Sequence, residues 1–218
     1  MRSFEDNYRQ KGLRRKLIEH LKEKGIKSHA VLDAMLKIPR HLFLDKAFEE
    51  WAYKDFAFPI DCDQTISQPF TVARQSELMD IRPKDKVLEI GLGSGYQACV
   101  LHNLEAKVYS IERHKTLHDK TSHRLKGLGY SSIRTFYGDG FQGLPLLAPF
   151  DKILITAACD EIPEILISQL KEDGFIIFPY GKTNDSQIMT KITKLKNGVL
   201  KTEEFGLFRF VPMLKGKV

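Results

Sequence analysis

The sequence predicts an α/β fold: a mostly parallel sheet covered by helices, preceded by an N-terminal helical cap and ended by an antiparallel C-terminal hairpin. Three observations carry this. From Val87 onward, apolar runs near 86–90, 107–111, 133–137, 151–156 and 174–179 alternate with helical stretches near 96–104, 115–128 and 162–170, as parallel strands joined by crossover helices do. Before them, Leu13, Leu17, Leu21, Val31, Leu32, Met35 and Leu36 fall at helical spacing within 13–48, broken at Gly25 and Pro39. After them, Asn197-Gly198 separates two strand-like runs, Gln187–Leu195 and Glu204–Val211, as a hairpin turn does.

With 218 residues, 42% of them hydrophobic, the chain is long enough to bury a substantial core. Its N-terminus, Met1-Arg-Ser-Phe-Glu-Asp6, lacks the apolar stretch of a signal peptide, and no run has the length of a membrane span. Three scattered cysteines, Cys62, Cys99 and Cys159, form no C-x-x-C pair, which fits a reducing compartment without disulfides. A cytoplasmic protein with no membrane partner is expected. The net charge of +6 comes from lysines interspersed with acids, so it reads as a solvated surface and points to no nucleic-acid partner.

The most specific local feature is Lys86-Val-Leu-Glu-Ile-Gly91-Leu-Gly93-Ser-Gly95, an apolar strand running into alternating glycines. Without Cβ atoms, such a loop turns sharply and lets its amides approach a ligand. Gly93, Gly95 and Ala98 satisfy the dinucleotide pattern G-x-G-x-x-G/A, so a nicotinamide cofactor stays open on the glycines alone. Glu89 favours S-adenosylmethionine, because a carboxylate there would repel a pyrophosphate and suit an ammonium and a sulfonium. Two more acids fall at strand ends, where an open parallel sheet binds ligands. Glu112 is placed to accept the ribose hydroxyls, and Asp139, in Gly138-Asp139-Gly140, to accept the exocyclic amine of adenine.

Upstream, Gln64-Thr65-Ile66-Ser67-Gln68-Pro69 leads into Phe70–Met79, a helix start with proline in its first turn. Ser67 or Gln68 is placed to cap that helix. The same N-terminus, with free N–H groups and its positive dipole end, is suited to a substrate carboxylate.

These residues resemble the protein-L-isoaspartate O-methyltransferases over nearly the whole chain. The resemblance includes Ile38-Pro-Arg-His-Leu-Phe43, Ala52-Tyr53, Gln64–Pro69, Val87–Gln97, Ser110-Ile-Glu-Arg113, Gly138-Asp-Gly140, Pro149-Phe-Asp151, Gln169-Leu170, Pro179-Tyr-Gly181 and Phe210-Val-Pro-Met213. It implies a Rossmann-like class I S-adenosylmethionine-dependent methyltransferase fold and methylation of the α-carboxyl of isoaspartyl residues in damaged proteins. It also implies that Ser67 takes the active-site position, with Thr65, Ile66 and Val211 on the peptide. Glu89, Gly91, Gly93, Glu112, Asp139 and Gly140 take cofactor positions. One domain over 1–218 is expected, with 1–80 the helical cap and substrate segment and 81–218 the cofactor-binding core and C-terminal strands. Asp61 and Asp63 stand where the family usually has glycines, and Leu92 where it usually has threonine or serine.

Other signals lead elsewhere. His114 and His118 supply two potential ligands at helical spacing but no third, so no metal site is expected. Cys62 lacks a partnered base and reads as a packing residue. A nucleic-acid methyltransferase would carry an Asn or Asp-Pro-Pro-aromatic segment where Ile155-Thr-Ala-Ala-Cys159 stands. A cofactor-binding module without catalysis is the remaining alternative, and product formation distinguishes it.

Overall fold

The computed structural model describes residues 6–161, 163–183 and 185–218. The first five residues, on which part of the reading of the N-terminus rests, and Ile162 in the expected 162–170 helix lie outside this range.

Helix α1 (Tyr8–Glu23) starts at a capping box in which Asn7 and Gln10 exchange side-chain and backbone hydrogen bonds, and Gly25, at φ +102°, ends it. In α2 (His29–Lys37) the Ser28 side chain accepts from the Val31 amide, and Pro39 stops the helix just beyond its end. Two 3-10 turns, Arg40–Phe43 and Lys46–Trp51, then lead to a small antiparallel pair, β1 (Phe58–Pro59) and β2 (Thr65–Ile66), and to α3 (Pro69–Leu78).

The α/β core alternates as the apolar pattern requires: β3 (Lys86–Ile90), α4 (Tyr96–Asn103), β4 (Lys107–Glu112), α5 (Lys115–Gly127), β5 (Arg134–Tyr137), β6 (Phe150–Ile155), α6 (Glu164–Ser168), β7 (Leu170–Tyr180), β8 (Gln187–Lys194) and β9 (Leu200–Phe208). Sheet order is β5-β4-β3-β6-β7-β8-β9, parallel through β7 and antiparallel at β8 and β9. Strand order reverses between β3 and β6, which opens a crevice beyond their carboxyl ends. Asn197 and Gly198 both have positive φ in the hairpin joining β8 to β9, as a tight turn demands.

Side chains of β3 alternate between two cores. Val87 belongs to the same buried cluster as cap residues such as Leu21, Leu32 and Met35, while Leu88 and Ile90 belong to a second cluster with Leu166 and Ile167 of α6. Glu89 therefore shares the Val87 face, under the helices.

Three boundaries differ from the pattern. β7 begins at Leu170 because Phe150 pairs with Leu170 before a bulge resets the register to Lys152 with Phe175. Helix α6 has five described residues and stops where β7 starts. β9 spans 200–208 instead of 204–211, with a register shift opposite Ile188 and Thr190 and Gly206 at φ +86°. Val211 is thereby released from the sheet, and its carbonyl accepts from the Ala158 amide at 2.8 Å.

Candidate active site

A cleft with about 790 Å³ of empty space, the open solvent at its mouth included, lies at the carboxyl ends of β3, β4 and β6. Its walls combine the β2 segment Thr65-Ile66-Ser67, the loop Gly91–Ser94, Glu112, Gly140, Thr156 and the returning segment Val211–Leu214. Eight of the expected site residues thus share one cavity: Thr65, Ile66, Ser67, Gly91, Gly93, Glu112, Gly140 and Val211. Glu89 and Asp139 are not on its wall.

The glycine loop works differently from a phosphate cradle. Gly91 and Leu92 amides both donate to the Ile111 carbonyl (2.9 and 3.0 Å), the Gly95 amide to Leu92 O (2.8 Å), and the Gly93 amide to Glu112 Oε2 (2.9 Å). Those N–H groups are used inside the protein, so they do not approach a ligand as the sequence suggested. A pyrophosphate would meet a carboxylate and spent donors, which disfavours a nicotinamide dinucleotide. What the glycines offer instead is a surface without side chains.

Glu112 is 4% exposed and held by two backbone donors, Gly93 N–H and His114 N–H (3.0 Å). Each carboxylate oxygen keeps a further lone pair, enough to accept a vicinal diol. Asp139 is placed otherwise than expected. One of its oxygens caps the turn Gly140–Gln142 through the Phe141 amide, and the other accepts from the Gly216 amide, both at 2.9 Å. The carboxylate thus ties the C-terminal segment to the cleft rim, and Gly140 is the residue that faces inward.

Glu89 also departs from the expectation of a charge on the wall. It is fully buried; Ser110 Oγ donates to Oε2 at 2.5 Å, and Oε1 has no partner among the described residues. Burial pushes its carboxyl up to about 8, with repulsion from Glu112 adding to that and the Ser110 hydrogen bond opposing it. The group is therefore neutral in the fold at pH 7, whereas the unfolded chain ionises above about pH 4.5. Between these values the unfolded state binds fewer protons, so stability falls as pH rises. Glu89→Gln is expected to flatten that slope and to exceed the parent at pH 7 by on the order of 3 kcal/mol. Urea unfolding at pH 5 and pH 7 checks this; identical slopes would show a carboxyl that is not held protonated.

The reading of the α3 start as a substrate-carboxylate site is corrected, while the helix begins where expected. Its N-cap is Gln68, which makes no side-chain capping bond. Asp55 takes the place of an incoming anion, with Oδ1 accepting from the Phe70 amide (2.8 Å) and Oδ2 facing Lys24 Nζ (2.6 Å). Burial alone would raise the Asp55 carboxyl, yet these donors hold it below the usual range. No substrate carboxylate is needed there.

Ser67 precedes that cap and lines the cleft, and its hydroxyl has no hydrogen-bond partner among the described residues. The turn before it keeps the shape glycines would supply: Cys62 and Asp63 adopt φ of 59° and 55°, and Asp61 pairs with Lys120 at 2.5 Å. Among residues the pattern did not single out, the Thr156 hydroxyl lies 3.0 Å from both the Ile90 and Gly91 carbonyls, with one proton to share between them. Only its position, just past β6 beside the crevice, could have marked it. His118 and His114 do not converge: the first pairs with Asp119 and the second contacts Arg113.

Comparison with known proteins gives the chain a family. The family model for protein-L-isoaspartate(D-aspartate) O-methyltransferase matches residues 12–218. A protein-L-isoaspartate O-methyltransferase of Christiangramia forsetii is 51% identical over 214 residues, covering 98% of this chain and all of that one. One from Dictyoglomus turgidum is 47% identical over 94% of this chain and 91% of its own length. Among solved structures, one of a protein-L-isoaspartate O-methyltransferase superposes with a TM-score of 0.82 at 31% identity, over 91% of this chain and 65% of that chain. A Plasmodium falciparum structure described as the same enzyme, in complex with S-adenosyl-L-homocysteine, gives 0.78 at 26% identity over 93% and 99%. The chain belongs to the protein-L-isoaspartate(D-aspartate) O-methyltransferase family.

Proposed function

We infer that this protein transfers a methyl group from S-adenosylmethionine to the α-carboxyl of L-isoaspartyl residues in damaged proteins and peptides. Family membership carries the reaction, and one structural observation supports its location: the free Ser67 hydroxyl shares a cleft with the side-chain-free glycine loop and Glu112.

Glu112 would take the ribose diol, Gly91 and Gly93 would let the methionine part lie against backbone, and Gly140 would leave room for adenine. Asp139 would act on the rim through Gly216, and Glu89 from beneath the loop as a neutral group. Bound in this way, the cofactor supplies an electrophilic methyl group. The acceptor α-carboxylate, with an ordinary pKa of about 3.5, is already ionised near neutral pH, so the protein needs no general base. Its work is alignment and exclusion of water, since attack brings opposite charges together and neutralises them. Ser67 would donate to the carboxylate oxygen that does not attack, while Thr65, Ile66 and Val211 hold the peptide. We place the protein in the cytoplasm, and we assign it no nucleic-acid substrate, because Thr156 uses its hydroxyl on the loop and the side chains of Ala157 and Ala158 carry no polar atom for a base. No described helix is long and apolar enough to cross a membrane.

Matched aspartyl and isoaspartyl peptides with labelled cofactor test the reading. Methyl ester should form only on the isoaspartyl peptide, and retention of cofactor without any product would overturn it.

A further inference from the structure

Ser67 enters the cleft on a short connection between β2 and α3, and a residue outside the cleft holds that connection. Arg40, in the turn that follows α2, is 1% exposed, and no carboxylate among the described residues forms an ion pair with it. Its Nε donates to the Ala52 carbonyl at 3.0 Å and its Nη2 to the Ser67 carbonyl at 2.8 Å. The guanidinium carbon lies 4.7 Å from the centre of the Tyr96 ring, and Tyr96 itself lines the cleft. Burial lowers the Arg40 pKa to about 10, so the charge is kept at neutral pH.

An interior charge without an ion pair is unfavourable, and a neutral side chain could fill the same volume. What a neutral side chain could not do is bridge two carbonyls with one rigid fork while stacking on an aromatic face; lysine, a point charge on a flexible stem, could not either. On the other side of Ser67, Gln68 Nε2 donates to the Asp55 carbonyl at 3.0 Å, and Asp55 holds the Phe70 amide. The serine is thus clamped from both directions. Its hydroxyl is three bonds from the carbonyl carbon whose oxygen Arg40 grips, so holding that carbonyl fixes the backbone from which the hydroxyl hangs.

We propose that Arg40 is a positioning residue for methyl transfer: through the Ser67 carbonyl and the Tyr96 ring it sets where the Ser67 hydroxyl meets the acceptor carboxylate. This rests on the function inferred above, and the experiment separates the two. Wild-type protein is assayed first with an isoaspartyl peptide; absence of product would sink the function, and the inference with it. Arg40→Lys, Ser67→Ala and the double variant are then compared for kcat, KM, cofactor affinity by calorimetry and thermal unfolding.

Arg40→Lys should lower kcat by about tenfold to a hundredfold, the scale of a misplacement near 1 Å, with cofactor affinity within twofold of the parent. In the Ser67→Ala background the same change should cost little more, because the group it positions is gone. Additive losses in kcat, or an unchanged kcat in the single variant, would overturn the proposal. So would a parallel loss of cofactor binding or of the folded state in Arg40→Lys, which marks a merely structural role.

Discussion

Gly91→Ala should weaken S-adenosylmethionine binding by more than about tenfold and lower stability at the same time, because two independent penalties meet at one atom. Gly91 has φ +97°, where an L side chain is strained by about 1–2 kcal/mol. A Cβ built there would lie 2.5 Å from Thr156 Oγ1. That hydroxyl cannot swing aside freely, since its one proton is shared between the Ile90 and Gly91 carbonyls. Overpacking of this kind costs about 1–3 kcal/mol more, and each 1.4 kcal/mol that falls on binding is about tenfold. Whatever share the fold absorbs should appear as a fall in Tm of about 2–4 °C per kcal/mol. Gly93→Ala is the internal comparison: its φ is also positive, at +50°, but the nearest atom to its Cβ is Ile60 Cδ1 at 3.9 Å. It should suffer the strain without the clash. Adding Thr156→Ala to Gly91→Ala should restore part of the loss, and calorimetry with thermal melts of the four proteins reads this out. Parent-like affinity in Gly91→Ala alone would mean that the loop relaxes freely and that its glycine is not required.

How much of this was legible depends on how local each cause is. The strand and glycine loop at 86–95 were readable because their shape follows from consecutive residues, and β3 and β4 lie where the apolar runs put them. The cap helices were readable through their apolar spacing and the breaks at Gly25 and Pro39, whereas the caps Asn7 and Ser28 were not singled out. Glu89 was found, but its state was not: a period of two places it on the Val87 face, while its neutrality depends on helices that bury it from elsewhere in the chain. The amides of the glycine loop were misread for the same reason, since the Ile111 carbonyl that takes two of them arrives with β4. Asp55 shows the limit most clearly. Fifteen residues before the Phe70 amide it caps, it carries no helix-start signature, yet its carboxylate takes the helix end that the sequence offered to a substrate anion. The place of Ser67 came from resemblance and not from spacing, because a serine before a helix is ordinarily a cap.

Ser67→Ala should lower methyl transfer by about tenfold to a hundredfold while leaving cofactor affinity and stability near the parent. The change removes one hydroxyl that has no partner among the described residues, so the folded protein loses no hydrogen bond by it. The neighbouring anchors stay, since Arg40 grips the Ser67 carbonyl, which alanine retains. Bound to a carboxylate, however, the hydroxyl makes a hydrogen bond to a charged group, worth about 1.5–3 kcal/mol, the source of the expected factor. Its effect divides between KM and kcat according to when the bond is strongest. A donor that merely anchors the ionised acceptor raises KM when lost. One that fixes the angle between oxygen, methyl carbon and sulfur lowers kcat, because only the aligned arrangement reacts. Positioning predicts the second outcome, with Ser67→Thr, which keeps the hydroxyl, recovering part of the rate and Ser67→Cys less. Steady-state kinetics on an isoaspartyl peptide, paired with cofactor titration, reads both quantities. Equal losses in methyl transfer and cofactor affinity would place the hydroxyl on the cofactor, and a parent-like rate would take Ser67 out of the reaction.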